Sequence, residues 1–246
     1  MTRYLTNNLS VINLYKKPSK KSEVVTQMIY GDTFSLLKKN KKWLKIRIKE
    51  DNYKGYILGK KFSFFVKPTH KVSILKAVIY KFPKRKKRVG ELTFGSKIKV
   101  LEKKSGFFKF KKGWIIKNAV KPVLYKEKSF FKKIIMFKNI KYKWGGKTFN
   151  GIDCSALVQL FMNFNRSYCP RDAKDQVKYF KKDIKLKNIK KDDIIFWKGH
   201  VAVALSNKKL IHAYGPMKKT VVMGINQTIE RIKQTANLKV IGIKRV

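Results

Sequence analysis

The first half of the chain repeats itself. The stretches from Val11 to Ile57 and from Val78 to Ile115 share one order of features. Each opens on a short apolar-alternating strand and a basic loop, with Pro18 in the first copy and Pro83 in the second. Each then reaches an aromatic-Gly pair (Tyr30-Gly31, Phe94-Gly95) and an alternating strand (Phe34 to Leu37, Ile98 to Leu101). Another alternating strand follows (Trp43 to Ile46, Phe107 to Phe110), and both copies close on Gly-aromatic-Ile (Gly55 to Ile57, Gly113 to Ile115). Period-2 alternation broken by tight turns predicts strands with one face toward a core. A copy of only about 55 residues leaves exposed edges unless its sheet closes, so each is expected to be a small barrel.

Beyond Val123 the pattern changes. Asp153 to Asn165 carries Ala156, Leu157, Leu160, Phe161 and Phe164 at helical spacing and predicts an amphipathic or buried helix. Asp172 to Phe180 fits a second, short helix, and Lys126 to Phe137 either a helix or a connector. Ile194 to Trp197, Val201 to Leu205 and Leu210 to Ala213 read as strands, with Ser206 to Lys209 as the turn between the last two. Leu238 to Ile243 is a further strand candidate. Helix first and antiparallel strands after it predict an α+β domain. The expected organisation is two all-β barrels at 1–66 and 67–124, then an α+β domain at 125–246.

Composition excludes several classes. With 43% hydrophobic residues there is apolar surface enough for packed cores, which argues against disorder. No apolar run approaches the ~18 residues of a membrane helix. Residues 1–10 show no charged-then-apolar stretch and no small-residue cleavage site, so a cytoplasmic location is expected, with export if a further N-terminal segment precedes this sequence. The 2 cysteines cannot build a disulfide framework, and no zinc-ligand spacing occurs, so no metal or organic cofactor is expected. The 61 basic residues against 14 acids give a net charge of +47. Of these, 53 are Lys and 8 Arg, spread through every segment. Sequence-specific nucleic-acid readers favour the bidentate Arg fork, so no specific nucleic-acid partner is expected. The field suits anionic small substrates instead.

One constellation carries chemistry. Cys154 follows Gly145, Gly146 and Gly151 and stands where the long helix begins. A thiol there meets free backbone N–H groups and the positive end of the helix dipole, which favour the thiolate and also suit an oxyanion. Alternatively it is a small buried core residue. His200 and His212 lie on strands that a short hairpin makes neighbours, so one could act as acid/base toward Cys154 and the other orient it. Alternatively both are satisfied core or edge histidines. His70 follows Pro68 between the repeats and is expected to be an exposed linker residue; Cys169 is expected to be a packing residue.

These residues stand in a recognisable frame. Tyr142-Lys-Trp-Gly-Gly146 followed by Gly151-Ile-Asp-Cys-Ser155 resembles the nucleophile region of the NlpC/P60 cysteine peptidases. Pro170-Arg-Asp with Gln176 resembles their arginine loop. Asp193 to Trp197, Gly199 to Val203 and Leu210 to Ala213 resemble their histidine strands. The N-terminal repeats resemble bacterial SH3-like domains. Order and spacing agree over 140–214.

The resemblance implies a papain-like α+β catalytic domain with Cys154 as nucleophile, His200 as base and His212 as its orienting partner. It is similar to the endopeptidases that cleave the γ-D-glutamyl–diamino acid bond of murein peptides with a free N-terminal L-Ala. It implies that Tyr142, Asp153, Ser155 and Arg171 line the substrate pocket, Arg171 toward a D-Glu carboxylate. It implies that Glu23 and Tyr53 of the first barrel read the free amine. Ala156 and Ala173 depart from the Gly and Ser that the family usually places there. The expected partner is an anionic murein peptide, in recycling of wall peptides by a monomer. The rival expectations are an exported hydrolase of intact wall and a basic binding protein on a degenerate peptidase fold.

Overall fold

The computed structural model describes residues 4–246, which fall into two compact units. The first comprises the chain up to Tyr125 together with Lys147–Phe149; the second comprises Lys126–Gly146 and Asn150–Val246.

Among the described residues, the regular elements of the first unit are strands and one 3-10 turn, Lys117–Ala119. Its first sheet has seven strands, in the order Val24–Ile29, Val11–Tyr15, Lys54–Leu58, Trp43–Ile48, Thr33–Asn40, Tyr4–Thr6 and Ser63–Phe64. The inward residues of the alternation, Leu14, Met28, Phe34, Ile46, Ile48 and Ile57, form its core. The second repeat gives a five-stranded and a three-stranded sheet around Val72, Ala77, Ile79, Leu92, Ile98, Phe110 and Ile115. Both copies are all-β, with the alternating apolar residues turned into a core as the repeat predicts. The repeated aromatic-Gly pairs have one physical cause: Gly31 and Gly95 turn the chain at φ +85° and +83°, a left-handed conformation that a Cβ would oppose.

The repeats are also tied to each other inside this unit. Lys97 of the second places its ammonium 2.5 Å from Glu50 and 3.3 Å from Asp32 of the first. Burial alone would depress the Lys97 pKa, but the two carboxylates outweigh it and hold the value above the ordinary lysine range. His70 differs from expectation. It lies in the strand His70–Val72, half-buried, with its ring edge-on to Phe108 at 5.0 Å, because the segment after Pro68 starts the second barrel. Residues 147–149 belong with this unit: the Lys147 N–H donates to Gln27 Oε1 at 2.9 Å and the Phe149 N–H to Thr93 Oγ1 at 3.3 Å.

The second unit is α+β. Its six-stranded antiparallel sheet comprises β1 (Lys182–Asp183), β2 (Ile194–Trp197), β3 (His200–Ala204), β4 (Lys209–Tyr214), β5 (Lys219–Gly224) and β6 (Val240–Arg245). The spatial order is β1-β6-β2-β3-β4-β5. Helix α1 (Cys154–Phe164) packs on β3 and β4 and is buried at every residue but Asn163. Helix α2 (Ala173–Tyr179) is short, as predicted. The segment 126–137 resolves as a connector ending in the 3-10 turn Ile134–Phe137, with Phe131, Ile134 and Phe137 buried.

Two of the longer elements had no sequence expectation. They are β5 and the helix α3 (Ile225–Ala236), which buries Ile225, Thr228 and Ile232 and ends at Asn237 in the left-handed conformation. The spacing of Ile225, Ile229 and Ile232 is the signal that marks α3. No helix of the described residues is long and apolar enough to cross a membrane.

Candidate active site

Asp153 starts the site. It is the N-cap of α1, and its Oδ1 accepts from the Ala156 N–H at 2.8 Å. Its Oδ2 accepts from the Gly145 N–H at 2.9 Å, which ties the Tyr142–Gly146 loop to the helix start. Arg171 closes the group. One guanidinium nitrogen lies 2.5 Å from Asp153 Oδ2, and the other donates to Asp153 Oδ1 at 3.0 Å and to the Ser155 hydroxyl at 2.8 Å. The Arg171 side chain is 1% exposed. Its fork braces Asp153 and Ser155. Gln176 adds a second brace, donating to the carbonyls of Ser155 and Pro170 at 2.9 Å each.

This bracing fixes Cys154 at the first position of α1. The helix packs on the strand that His200 begins, and the backbone N–H groups of Val201 and Ser155 favour the Cys154 thiolate. Helix-end donation is thus present, as the sequence suggests, yet it does not win. Burial, reinforced by the Asp153 charge, pushes the thiol up to about 12. Burial thus outweighs the helix-start N–H groups and favours the protonated thiol over the thiolate expected from its helix position. Tyr142 is half-buried, and its N–H donates to the Lys218 carbonyl at 2.8 Å. Burial, with Cys154 and Asp153 nearby, raises its pKa, so its hydroxyl keeps its proton.

The hairpin brings the two histidines together: His200 Nε2 and His212 Nδ1 are 2.8 Å apart. Burial pushes His200 down to about 4, and burial together with His200 pushes His212 down to about 3. Both rings are neutral at pH 7. A neutral His200 hydrogen-bonded through Nε2 leaves Nδ1 for a proton from another group. The arrangement offers a thiol, a base and an orienting group, the set that nucleophilic acyl transfer needs.

The buried pair has a consequence for stability. The unfolded chain protonates both rings near pH 6.5, and the native state refuses those protons until about 4 and 3. The stability they contribute is complete above about pH 6.5 and is lost as pH falls toward the native values. The melting temperature is expected to drop between pH 7 and pH 4, and His212→Gln to flatten that drop. An equal slope in the variant would show that other groups govern acid unfolding.

Glu23 and Tyr53 lie in the first unit. Glu23 pairs with Lys16 at 3.3 Å with its side chain 40% exposed, and Tyr53 packs part-buried on the first barrel core. Cys169 is fully buried, and its thiol donates to the Pro170 carbonyl at 3.5 Å. Among the described residues no group of three His, Cys, Asp or Glu is arranged to hold a metal ion. A concavity of about 1000 Å³ in the second unit, lined by Asp183, Lys185, Lys187, Lys190, Lys191 and Arg245, contains none of the site residues. Two neighbours of the histidines, Trp197 and Tyr214, escaped the sequence reading. The signal for them is alternation: Tyr214 is two residues beyond His212 on one strand face, and Trp197 pairs with His200 across the hairpin.

Comparison with known proteins adds to this geometry. The NlpC/P60 family matches residues 139–236, and the bacterial dipeptidyl-peptidase SH3 domain matches residues 14–61. The chain is 25% identical to the gamma-D-glutamyl-L-lysine dipeptidyl-peptidase of Bacillus subtilis over 84% of its own length and 77% of that protein. It is 23% identical to dipeptidyl-peptidase 6 of Lysinibacillus sphaericus over 82% of its own length and 84% of that protein. The solved structure of an NlpC/P60 family protein from Bacillus cereus covers 98% of this chain and 99% of that one, at TM-score 0.84 and 17% identity. At that identity the likeness speaks for a shared fold.

Proposed function

Because the chain carries an NlpC/P60 cysteine peptidase domain and a bacterial SH3 domain and is homologous to gamma-D-glutamyl-L-lysine dipeptidyl-peptidases, we propose that it hydrolyses the γ-D-glutamyl–diamino acid bond of murein peptides. The observation that carries this reading is Cys154 at the start of α1, framed by Asp153 and Arg171, on a helix packed against the strands that bring His200 and His212 within 2.8 Å of each other.

In the proposed reaction Cys154 Sγ attacks the γ-carbonyl carbon and its proton passes to His200. The C=O π pair moves onto oxygen, held by N–H donors that include that of Cys154. The tetrahedral centre then collapses, the C–N bond breaks, and His200 returns the proton to the leaving amine. Water, deprotonated by His200, attacks the thioester, and collapse of the second tetrahedral centre releases the acid and restores the thiol. His212 orients the base. A neutral resting pair fits this sequence, since His200 must accept a proton to begin.

Tyr142, with its protonated hydroxyl, and Ser155 are the proposed pocket residues, with Asp153 and Arg171 fixing their frame. Free peptides bearing N-terminal L-Ala are the proposed substrates, in recycling of wall peptides, and the net charge of +47 favours ligands rich in carboxylates. Glu23 and Tyr53 are the proposed readers of the free amine; the ammonium would replace Lys16 on Glu23.

The test is hydrolysis of L-Ala-γ-D-Glu-L-Lys and of its diaminopimelate counterpart, each beside the N-acetylated form and followed by mass spectrometry. Cleavage of the free-amine peptides alone is expected. Cleavage of both forms would remove the amine requirement and point to wall hydrolysis. Cleavage of neither under reducing conditions would overturn the substrate assignment.

A further inference from the structure

The His200–His212 hydrogen bond restrains one edge of the His212 ring. At its other edge, Nε2 is buried and has no hydrogen-bond partner among the described residues. Hydrogen bonding alone therefore leaves this ring free to tilt about the single contact at Nδ1. What lies against it is Tyr214, from the same face of β4. The two rings are stacked at 4.6 Å between centroids and only 12° from parallel. The same tyrosine also faces His200, at 5.7 Å and 50°, and Trp197 covers His200 from β2 at 5.7 Å and 40°. Tyr214 is 5% exposed, so its ring has little room to move away.

Resting on the catalytic reading above, we propose that Tyr214 is a positioning residue for the reaction: its ring, stacked on His212, sets the angle at which His212 holds His200. Two physical effects follow from one ring. An offset-stacked aromatic pair restrains a ring plane where a hydrogen bond is missing. When His200 takes the thiol proton it becomes a cation within about 6 Å of two aromatic faces, which favours the charged form in a site that otherwise disfavours it. Both effects act on the step from thiol to tetrahedral intermediate and leave substrate binding alone. Nothing in this assignment depends on which murein peptide is the substrate.

The experiment compares Tyr214→Phe with Tyr214→Leu in the full chain. Phe keeps the stacked ring and is expected to retain kcat within about threefold. Leu removes it and is expected to lower kcat by about 10- to 100-fold with KM unchanged, the range that misplaced catalytic groups produce. Alkylation of Cys154 by iodoacetamide at pH 7 should slow in the Leu variant and not in the Phe variant.

A Leu variant matching the Phe variant in both readouts would overturn the proposal. So would a Phe variant as impaired as the Leu variant, which would put the effect on the hydroxyl. If thermal melting shows that Leu does not fold, Tyr214→Met fills the site without a ring and takes its place, with the same expected result. Wild-type chain that cleaves no γ-D-glutamyl peptide would sink the function proposed above, and alkylation would still decide the role of Tyr214.

Discussion

Cys154→Ala is expected to abolish hydrolysis of the free-amine murein peptide, by about 10⁴-fold or more in kcat, with no loss of stability. The magnitude follows from chemistry. Without the sulfur no acyl-enzyme forms, and only the residual assistance of oriented N–H groups and binding remains. The stability expectation follows from burial: Sγ lies in a desolvated site where its charged form is disfavoured, and a methyl group there leaves no stranded charge. Single-turnover mass spectrometry should show acyl-enzyme in the wild type and none in the variant. Residual turnover above about 1% of wild type would mean that another group is the nucleophile.

Asp153→Ala is the change expected to cost most in stability. It removes the helix N-cap and leaves the Arg171 guanidinium, 1% exposed, without its carboxylate. Breaking a buried ion pair from one side costs about 3–5 kcal/mol, and losing the cap about 1 kcal/mol more. Arg171→Met alone should also destabilise, since it strands the Asp153 carboxylate. The double variant Asp153→Ala/Arg171→Met should recover much of the loss, because no buried charge is then unpaired. Chemical denaturation of the four proteins forms the cycle. Additive losses in the double variant would mean that the two residues act independently, against the bidentate geometry at 2.5 to 3.0 Å.

Both predictions rest on residues that the sequence displays, yet it displays them unequally. Gly-Ile-Asp-Cys-Ser marks the nucleophile because a glycine-fed helix start is written in contiguous residues. The two histidines become neighbours through a turn of four residues, so their pairing is local too. Arg171 is different. Its chemistry suggests a carboxylate ligand, and only folding shows that the carboxylate is Asp153, 18 residues away. The thiolate that the helix position favours is overridden for the same kind of reason. Helix position is a local property, whereas desolvation depends on everything packed around the site.

By itself the chain determined its repeats, its strand alternation, the aromatic-Gly turns, helices α1 and α2, and the pairing of His200 with His212 across a hairpin. All of these follow from the spacing of neighbouring residues, where backbone geometry and the 2.0 and 3.6 periodicities act. The tertiary structure alone decided that Lys97 meets Asp32 and Glu50, that residues 147–149 join the first unit, and that Tyr214 stacks on His212. It also decided that the resting thiol and imidazoles are neutral. Those outcomes depend on which distant atoms exclude water and supply partners, and no window of contiguous sequence contains that information.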